Sequence, residues 1–465
     1  MTVGGLFGAG SAFDWRRKSR MVTQTSMKTD IATGFTEETF EAFLKQRDEP
    51  AWLIDRRREA FARFQAFAWP SNRDEDWRRT DIRALKLENF SPVSAAEATP
   101  RARSAFNPLW ETLSSHYGTG IAHVDGSLVH RADPAKLGGA VFVDMETAVK
   151  DHPELLKRHL LTDVVKPSDD IFAALHAAFW NGGTLLYVPK GVSVELPLFS
   201  IAGLTEEGRV DFSHTLIVLE EDAEATLVRE TASAGREKEP ALHVGALEVI
   251  QEKASRLRLV NIQNWDYGAW HLTSERAQVG QDASLQWTVG ALGSRLSKVN
   301  QEVVLTGKGS SAQVNGVMFT TARQHLAYFT RQDHQAPNAT SDLLYKAGLK
   351  DHSRVVWRGM IRVEKDAQRT DAYQKNDNLI LSDSARSDSI PGLEIEANDV
   401  RCTHAATAGP IDEEMIFLCQ SRGIPRETAM RLIVEGFFAN VYDRITLEPV
   451  RETLREAVAA KLGHG

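Results

Sequence analysis

The chain has 465 residues, 42% hydrophobic and 25% charged, which is ample for a large core and suggests two or three domains. Its formal charge of −8 argues against general nucleic-acid binding, which needs a basic face, and no apolar run reaches the roughly 18–20 residues of a membrane span. Two cysteines build no disulfide framework and suit a reducing compartment, so the chain reads as soluble and cytoplasmic.

Residues 1–30 are Gly-rich, then basic, then Ser/Thr-rich, and lack the apolar core of a secretory signal. They read as a disordered tail, or as an upstream start with Met21 or Met27 as the true beginning. Read as a transit peptide, the same segment would place the protein in the plastid stroma.

Residues 31–180 read as a mainly helical domain. Phe40, Phe43 and Leu44 recur at helical spacing, as do Phe61, Phe64, Phe67 and Ala68, and Pro70 ends the second helix. Thr36 with Thr39 makes a partial capping box, followed by acids in the first turn. Trp77 fits a packing anchor. Residues 91–108, rich in Ser, Pro and Ala, predict a surface loop, and Asp125-Gly126 predicts a hairpin turn. Helical spacing returns at 153–160 and 169–180.

From Gly182 the period changes to short strands, which run to about residue 409. Candidates include 214–219, 225–229, 243–250, 256–262, 285–289, 312–319, 354–363 and 399–404. Ala223, Ala254 and Ala283 close similar polar turns about 30 residues apart, a period that suggests stacked β-coils. The absence of intervening helices excludes a βαβ sheet. A sandwich satisfies the strand count, but the period favours a parallel β-helix over residues 181–409. Residues 410–465 return to helix, with Asp412 as N-cap, Gly423 closing the first helix and Pro425 opening the next. A third helix is predicted over about 448–462.

Cys402 and His404 carry the most pointed chemistry. In a strand, Val400, Cys402 and His404 leave by one face, with the Cys and His Cα atoms roughly 7 Å apart. Two ligands make an incomplete metal site, since zinc takes four and clusters take several thiolates. Three readings fit: a buried cysteine beside a satisfied histidine, a half-site completed by another subunit, or a nucleophile activated by its neighbour. Cys419, between apolar residues on a helix, reads as core. His325 and His334 read as isolated, hydrogen-bonded residues. The acids Asp371, Asp377, Asp383 and Asp388 alternate with Arg369, Lys375 and Arg386, suggesting paired polar turns. A pair of them would serve a polysaccharide-cleaving β-helix enzyme, which stands as the alternative function. Gly307-Lys-Gly-Ser-Ser311 lacks the first glycine of a phosphate loop, so the chain has no nucleotide site of its own.

Over the last third the chain closely resembles the SufD branch of the SufB/SufD family of the SUF iron–sulfur cluster assembly system. The matching phrases are Gln368-Arg-Thr-Asp-Ala-Tyr-Gln-Lys-Asn-Asp-Asn378, Ile390-Pro-Gly-Leu-Glu-Ile-Glu-Ala-Asn-Asp399 and Arg401-Cys-Thr-His-Ala-Ala-Thr407. Shorter matches follow at 411–414, 421–423 and 433–437. Ile395 stands where SufB typically carries a cysteine, and His404-Ala-Ala-Thr407 replaces SufB's His-Glu-Ala-Thr, so both departures point to SufD. The resemblance implies a mainly β protein with a right-handed parallel β-helix core, an N-terminal mainly helical domain and a small C-terminal helical domain. It implies a scaffold subunit, not an enzyme, that pairs with a SufB-like paralogue and docks a SufC-like ABC ATPase on its C-terminal helices. A cysteine desulfurase acts indirectly. On this reading Cys402 and His404 form a metal half-site shared with the SufB partner, meeting iron or a transient iron–sulfur cluster. A purely structural interaction subunit is the remaining alternative.

Overall fold

The computed structural model describes residues 34–92, 99–205, 207–234 and 240–463. The readings for residues 1–30, and that part of the predicted loop falling on 93–98, lie outside the described residues. The core is a parallel β-solenoid of about eight coils, each giving one strand to each of two sheets. The first sheet runs from Gly183–Val188 to Arg386–Ile395, and the second from Leu198–Leu204 to Arg401–Pro410.

Stacking in register produces continuous interior columns. One reads Leu227, Leu259, Trp287, Val314, Leu343, Gln374 and His404. Its neighbour reads Ala225, Leu257, Leu285, Ala312, Ser341, Ala372 and Cys402. Every member except the final Cys402 and His404 is buried. Each buried Leu or Val contributes roughly 1.5–3 kcal/mol against exposure, so the apolar coils supply the bulk of the cohesion.

The corners explain the spacing seen in the sequence and refine it. Asp222, Ala254, Asp282, Gly309, Asn338 and Arg369 all adopt φ between +54° and +74°. The amide of each donates to a carbonyl of the following coil, at 2.8–3.2 Å for the first five. The small residue after each (Ala223, Ser255, Ala283, Ser310, Ala339, Thr370) turns into the core and is buried. Ala254 therefore holds the left-handed position, and Ser255 is the true counterpart of Ala223 and Ala283. Gly307-Lys-Gly is one of these corners, which accounts for its glycines.

Strands Leu296–Leu305 and His325–His334, which the sequence does not single out, carry charges on the outer face. Those charges pair across coils: Arg276 with Glu302 at 2.5 Å, Arg331 with Glu302 at 3.4 Å, Arg362 with Asp333 at 3.5 Å and with Glu394 at 3.4 Å.

The amino-terminal helices Glu37–Lys45 and Ala51–Ala66 pack with Ile171–Phe179 against the first coils, around Phe40, Phe61 and Phe179. Thr36 and Thr39 form a reciprocal capping box, so the threonine does the work usually given to glutamate. His176 anchors its helix on the solenoid, meeting the Val244 carbonyl at 2.8 Å and His214 at 3.0 Å. Glu248 accepts the Leu161 and Val165 amides at 2.8 and 2.9 Å. Trp77 packs on Phe172 as an anchor would, 5.7 Å between rings.

The predicted loop at 91–108 is corrected by a helix, Pro100–His116. Thr99 caps it by accepting the Ala102 amide at 3.1 Å, Pro100 suits the first turn, and Phe106, Leu109 and Leu113 bury against the second sheet. The Ser/Pro/Ala composition conceals this apolar stripe. Strand Thr119–Val124 extends the second sheet, and its hairpin turn has Asp125 and Gly126 at φ 51° and 74°. Helices Glu413–Gln420, Arg426–Tyr442 and Glu448–Gly463 fold back over the second sheet, with Phe438, Leu454 and Val458 buried. Asp412 caps the first of them as predicted, and Pro425 is the N-cap of the second.

Candidate functional site

Strand Arg401–Pro410 lies at the end of its sheet and, among the described residues, is paired along one edge only, with Asp371–Ile380. Cys402 sits over Ala372, His404 over Gln374, Ala406 over Asn376 and Ala408 over Asn378. The four lower residues are buried inward-facing side chains, so Cys402 and His404 are the last rungs of interior columns that have no coil above them. Strand Arg386–Ile395 ends the other sheet in the same way, leaving the inward-column residues Leu393 and Ile395 about 40% exposed.

Cys402 is half-buried, packed with Val400 on a small apolar cluster of Ile361, Val363, Ala367, Ala372 and Ala397. Val400 precedes the strand and shares this packing, in keeping with the alternation. Partial burial, and then the carboxylate of Asp371, push the Cys402 thiol above its ordinary range. Arg401 leaves by the outer face and forms a two-point ion pair with Asp371. His404 is exposed, and among the described residues no hydrogen bond reaches its ring. A raised thiol is the opposite of an activated nucleophile, whose thiolate fraction must be high.

Beneath the pair the interior turns polar. Asn376, Asn378 and Ser389 join in a triangle, with Asn378 donating to Asn376 at 2.6 Å and to Ser389 at 2.8 Å, and Ser389 donating to Asn376 at 2.6 Å. Gln374, on the strand below Arg401–Pro410, donates to the Gly392 carbonyl at 3.1 Å, tying the two sheets together at this end. Gln374, Asn376 and Asn378 fall within Gln368–Asn378 and Ser389 just outside Ile390–Asp399, but nothing in their spacing announces that they face inward.

Among the described residues no group of three or more His, Cys, Asp or Glu side chains is placed to hold a metal ion. Cys402 and His404 supply two donors, short of a four-coordinate set. The acid strip is not a free carboxylate pair. Asp371 binds Arg401, Asp377 binds Lys375 at 3.0 Å, and Asp388, on the other sheet, binds Arg354 at 2.6 Å. Cys419 is partly buried against the C-terminal core, and His334 is buried and bonded to Ser341 at 2.8 Å. The C-terminal helices expose Met415, Phe417, Leu418 and Leu432, with Phe417 72% exposed. Phe438 is core, and the Phe437 ring packs under the Lys346 ammonium at 4.4 Å.

Fold and site together define a β-solenoid protein with a coil end left open, bearing one thiol and one imidazole on its unpaired edge. The N-terminal region of SufBD proteins matches residues 35–199, and the SufBD core domain of the SUF system for FeS cluster assembly matches residues 202–437. The chain belongs to this SufBD family. It is 28% identical over 428 residues to the iron–sulfur cluster assembly protein SufB of Bacillus subtilis, covering 89% of this chain and 90% of that one. SufBD family proteins of Staphylococcus haemolyticus and Staphylococcus epidermidis match at the same identity and coverage. No helix among the described residues is long and apolar enough to cross a membrane.

Proposed function

We propose that this chain is the SufD-type scaffold subunit of an iron–sulfur cluster assembly complex, and that it assists iron entry or nascent cluster formation where it meets a SufB-like paralogue. The observation that carries this reading is the position of Cys402 and His404 as uncovered rungs of the last coil. A strand added to that edge by a partner would gain main-chain hydrogen bonds and bring its own side chains opposite these two. Iron, or the growing cluster, is then cargo held by donors from both subunits. Ile395 and Ala405 support the SufD over the SufB assignment, because SufB-type chains carry a cysteine and a glutamate at those positions.

On the same reading the exposed Met415, Phe417, Leu418 and Leu432 receive a SufC-like ATPase. The desulfurase that supplies sulfur acts through the other subunits. The chain itself is a scaffold without catalytic residues, working in the cytoplasm.

The test is co-expression with SufB- and SufC-type partners, as wild type and as Cys402→Ala or His404→Ala, followed by anaerobic purification. Iron and acid-labile sulfide should both fall while the three subunits still co-purify. Unchanged content would reduce the pair to packing residues.

A further inference from the structure

A second feature lies on the outer face of the first sheet, away from the open end. A crevice of about 540 Å³ is bounded by Asp81, Arg83 and Ala84 of the amino-terminal region and by Trp270, Arg295, Leu296, Arg323 and His325 of the coils. That volume is in the range of small-molecule sites. Trp270, Leu296 and His325 are consecutive rungs of three neighbouring strands. Arg295 precedes its strand and holds its place through its own backbone, its amide bonded to the Ala269 carbonyl and its carbonyl accepting the His325 amide.

Three guanidinium groups face this crevice against one carboxylate, in a chain whose overall charge is −8. That carboxylate is already committed, since Asp81 accepts from Arg83 at 2.6 and 3.0 Å, and Arg83 holds its carboxyl down at about 2. Among the described residues Arg295 and Arg323 have no acidic partner. The Arg295 guanidinium lies 5.0 Å from the centre of the Trp270 ring, a stacking that orders it without neutralising it. At the crevice wall the His325 Nε2 is buried and, among the described residues, has no hydrogen-bond partner. Burial, and then Arg354, keep that ring neutral down to about pH 4.

Like charges gathered without counter-charge are what a small anion would relieve, and planar guanidinium forks match phosphate oxygens in pairs. We infer that the crevice of Arg295, Arg323, Trp270 and His325 binds a phosphate-bearing small molecule. This site shares no residue with the Cys402–His404 edge.

Isothermal titration of the full chain with inorganic pyrophosphate, at ionic strength fixed with KCl, tests it. Wild type should give saturable one-to-one binding, and Arg295→Ala with Arg323→Ala should weaken it at least roughly tenfold, the loss expected for one charged hydrogen bond. Asp81→Asn, which releases Arg83, should tighten it, so the site is probed in both directions by variants of exposed residues. Absence of saturable heat in wild type, or equal affinity in the double variant, overturns the inference. So does capture of an oligoglutamate peptide without pyrophosphate binding, which would mark a docking surface for an acidic protein.

Discussion

Glu230 is a carboxyl placed where the fold can least accommodate a charge. It stands on the outer face of the second sheet between Ile201 and Ile262, beneath the covering helices, and is 8% exposed. Among the described residues no hydrogen bond or ion pair reaches it, and burial alone raises it from 4.5 to about 7. In the unfolded chain the group ionises near its ordinary value. Between about pH 4.5 and 7 the folded state therefore binds more protons, and stability falls as pH rises through that window. The displacement corresponds to about 3 kcal/mol, fully expressed above pH 7. Glu230→Gln removes the titration while keeping the shape. Its amide still lacks partners, so the net gain at pH 8 should be about 1–3 kcal/mol, fading to little or nothing at pH 5. Urea unfolding of both proteins at pH 5, 6, 7 and 8, followed by circular dichroism, measures the difference. A difference that stays flat across the series, or that grows toward acid, would refute the argument.

The Cys402 thiol should alkylate slowly at pH 8 in a Cys419→Ser background, and Asp371→Asn should speed it by removing the nearby negative charge. An identical rate would mean that the charge does not reach the sulfur. Phe417→Asp with Leu418→Asp should abolish co-purification of an ABC-type ATPase while moving the urea midpoint by less than about 0.5 kcal/mol equivalent, because both side chains are exposed. Retained ATPase binding would remove that surface from the proposal. Trp287→Ala should cost about 3–5 kcal/mol, since the ring fills an interior column between Leu259 and Val314. A loss below 1 kcal/mol would show that the coils collapse into the space.

The solenoid was legible because its repeat is enforced chemically at every corner. A left-handed residue followed by a small one leaves Asp222-Ala223 or Asp282-Ala283 in plain sight. The exact register was harder to read, because Ala254 can take the left-handed position and leave Ser255 to turn inward. Helix Pro100–His116 escaped because its buried stripe of Phe106, Leu109 and Leu113 is diluted by Pro108 and serines. The alternation of Cys402 and His404 was visible, and so was their pairing on one face. What spacing could not supply was the direction of that face, which depends on Ala372 and Gln374 thirty residues earlier. The crevice at Arg295 and Arg323 was equally hidden, since its members come together only when residues 81–84 lie across the coils.

The one-sided pairing of the last strand also governs how the molecule comes apart. In a stacked array each coil is held by its neighbours, so cohesion is summed along the axis and a terminal unit has half the usual support. The Cys402 coil rests on a polar layer, Asn376 and Asn378 of the coil below joined to its own Ser389, and its strands are far less buried than those beneath. Fraying should therefore start at this end, and amide hydrogen exchange should be faster in residues 401–407 than in 284–291. A strand docking on the open edge would stop the fraying. Ordering of the thiol and the imidazole would then be coupled to assembly, so that the free subunit holds its donors loosely and the complex holds them in place.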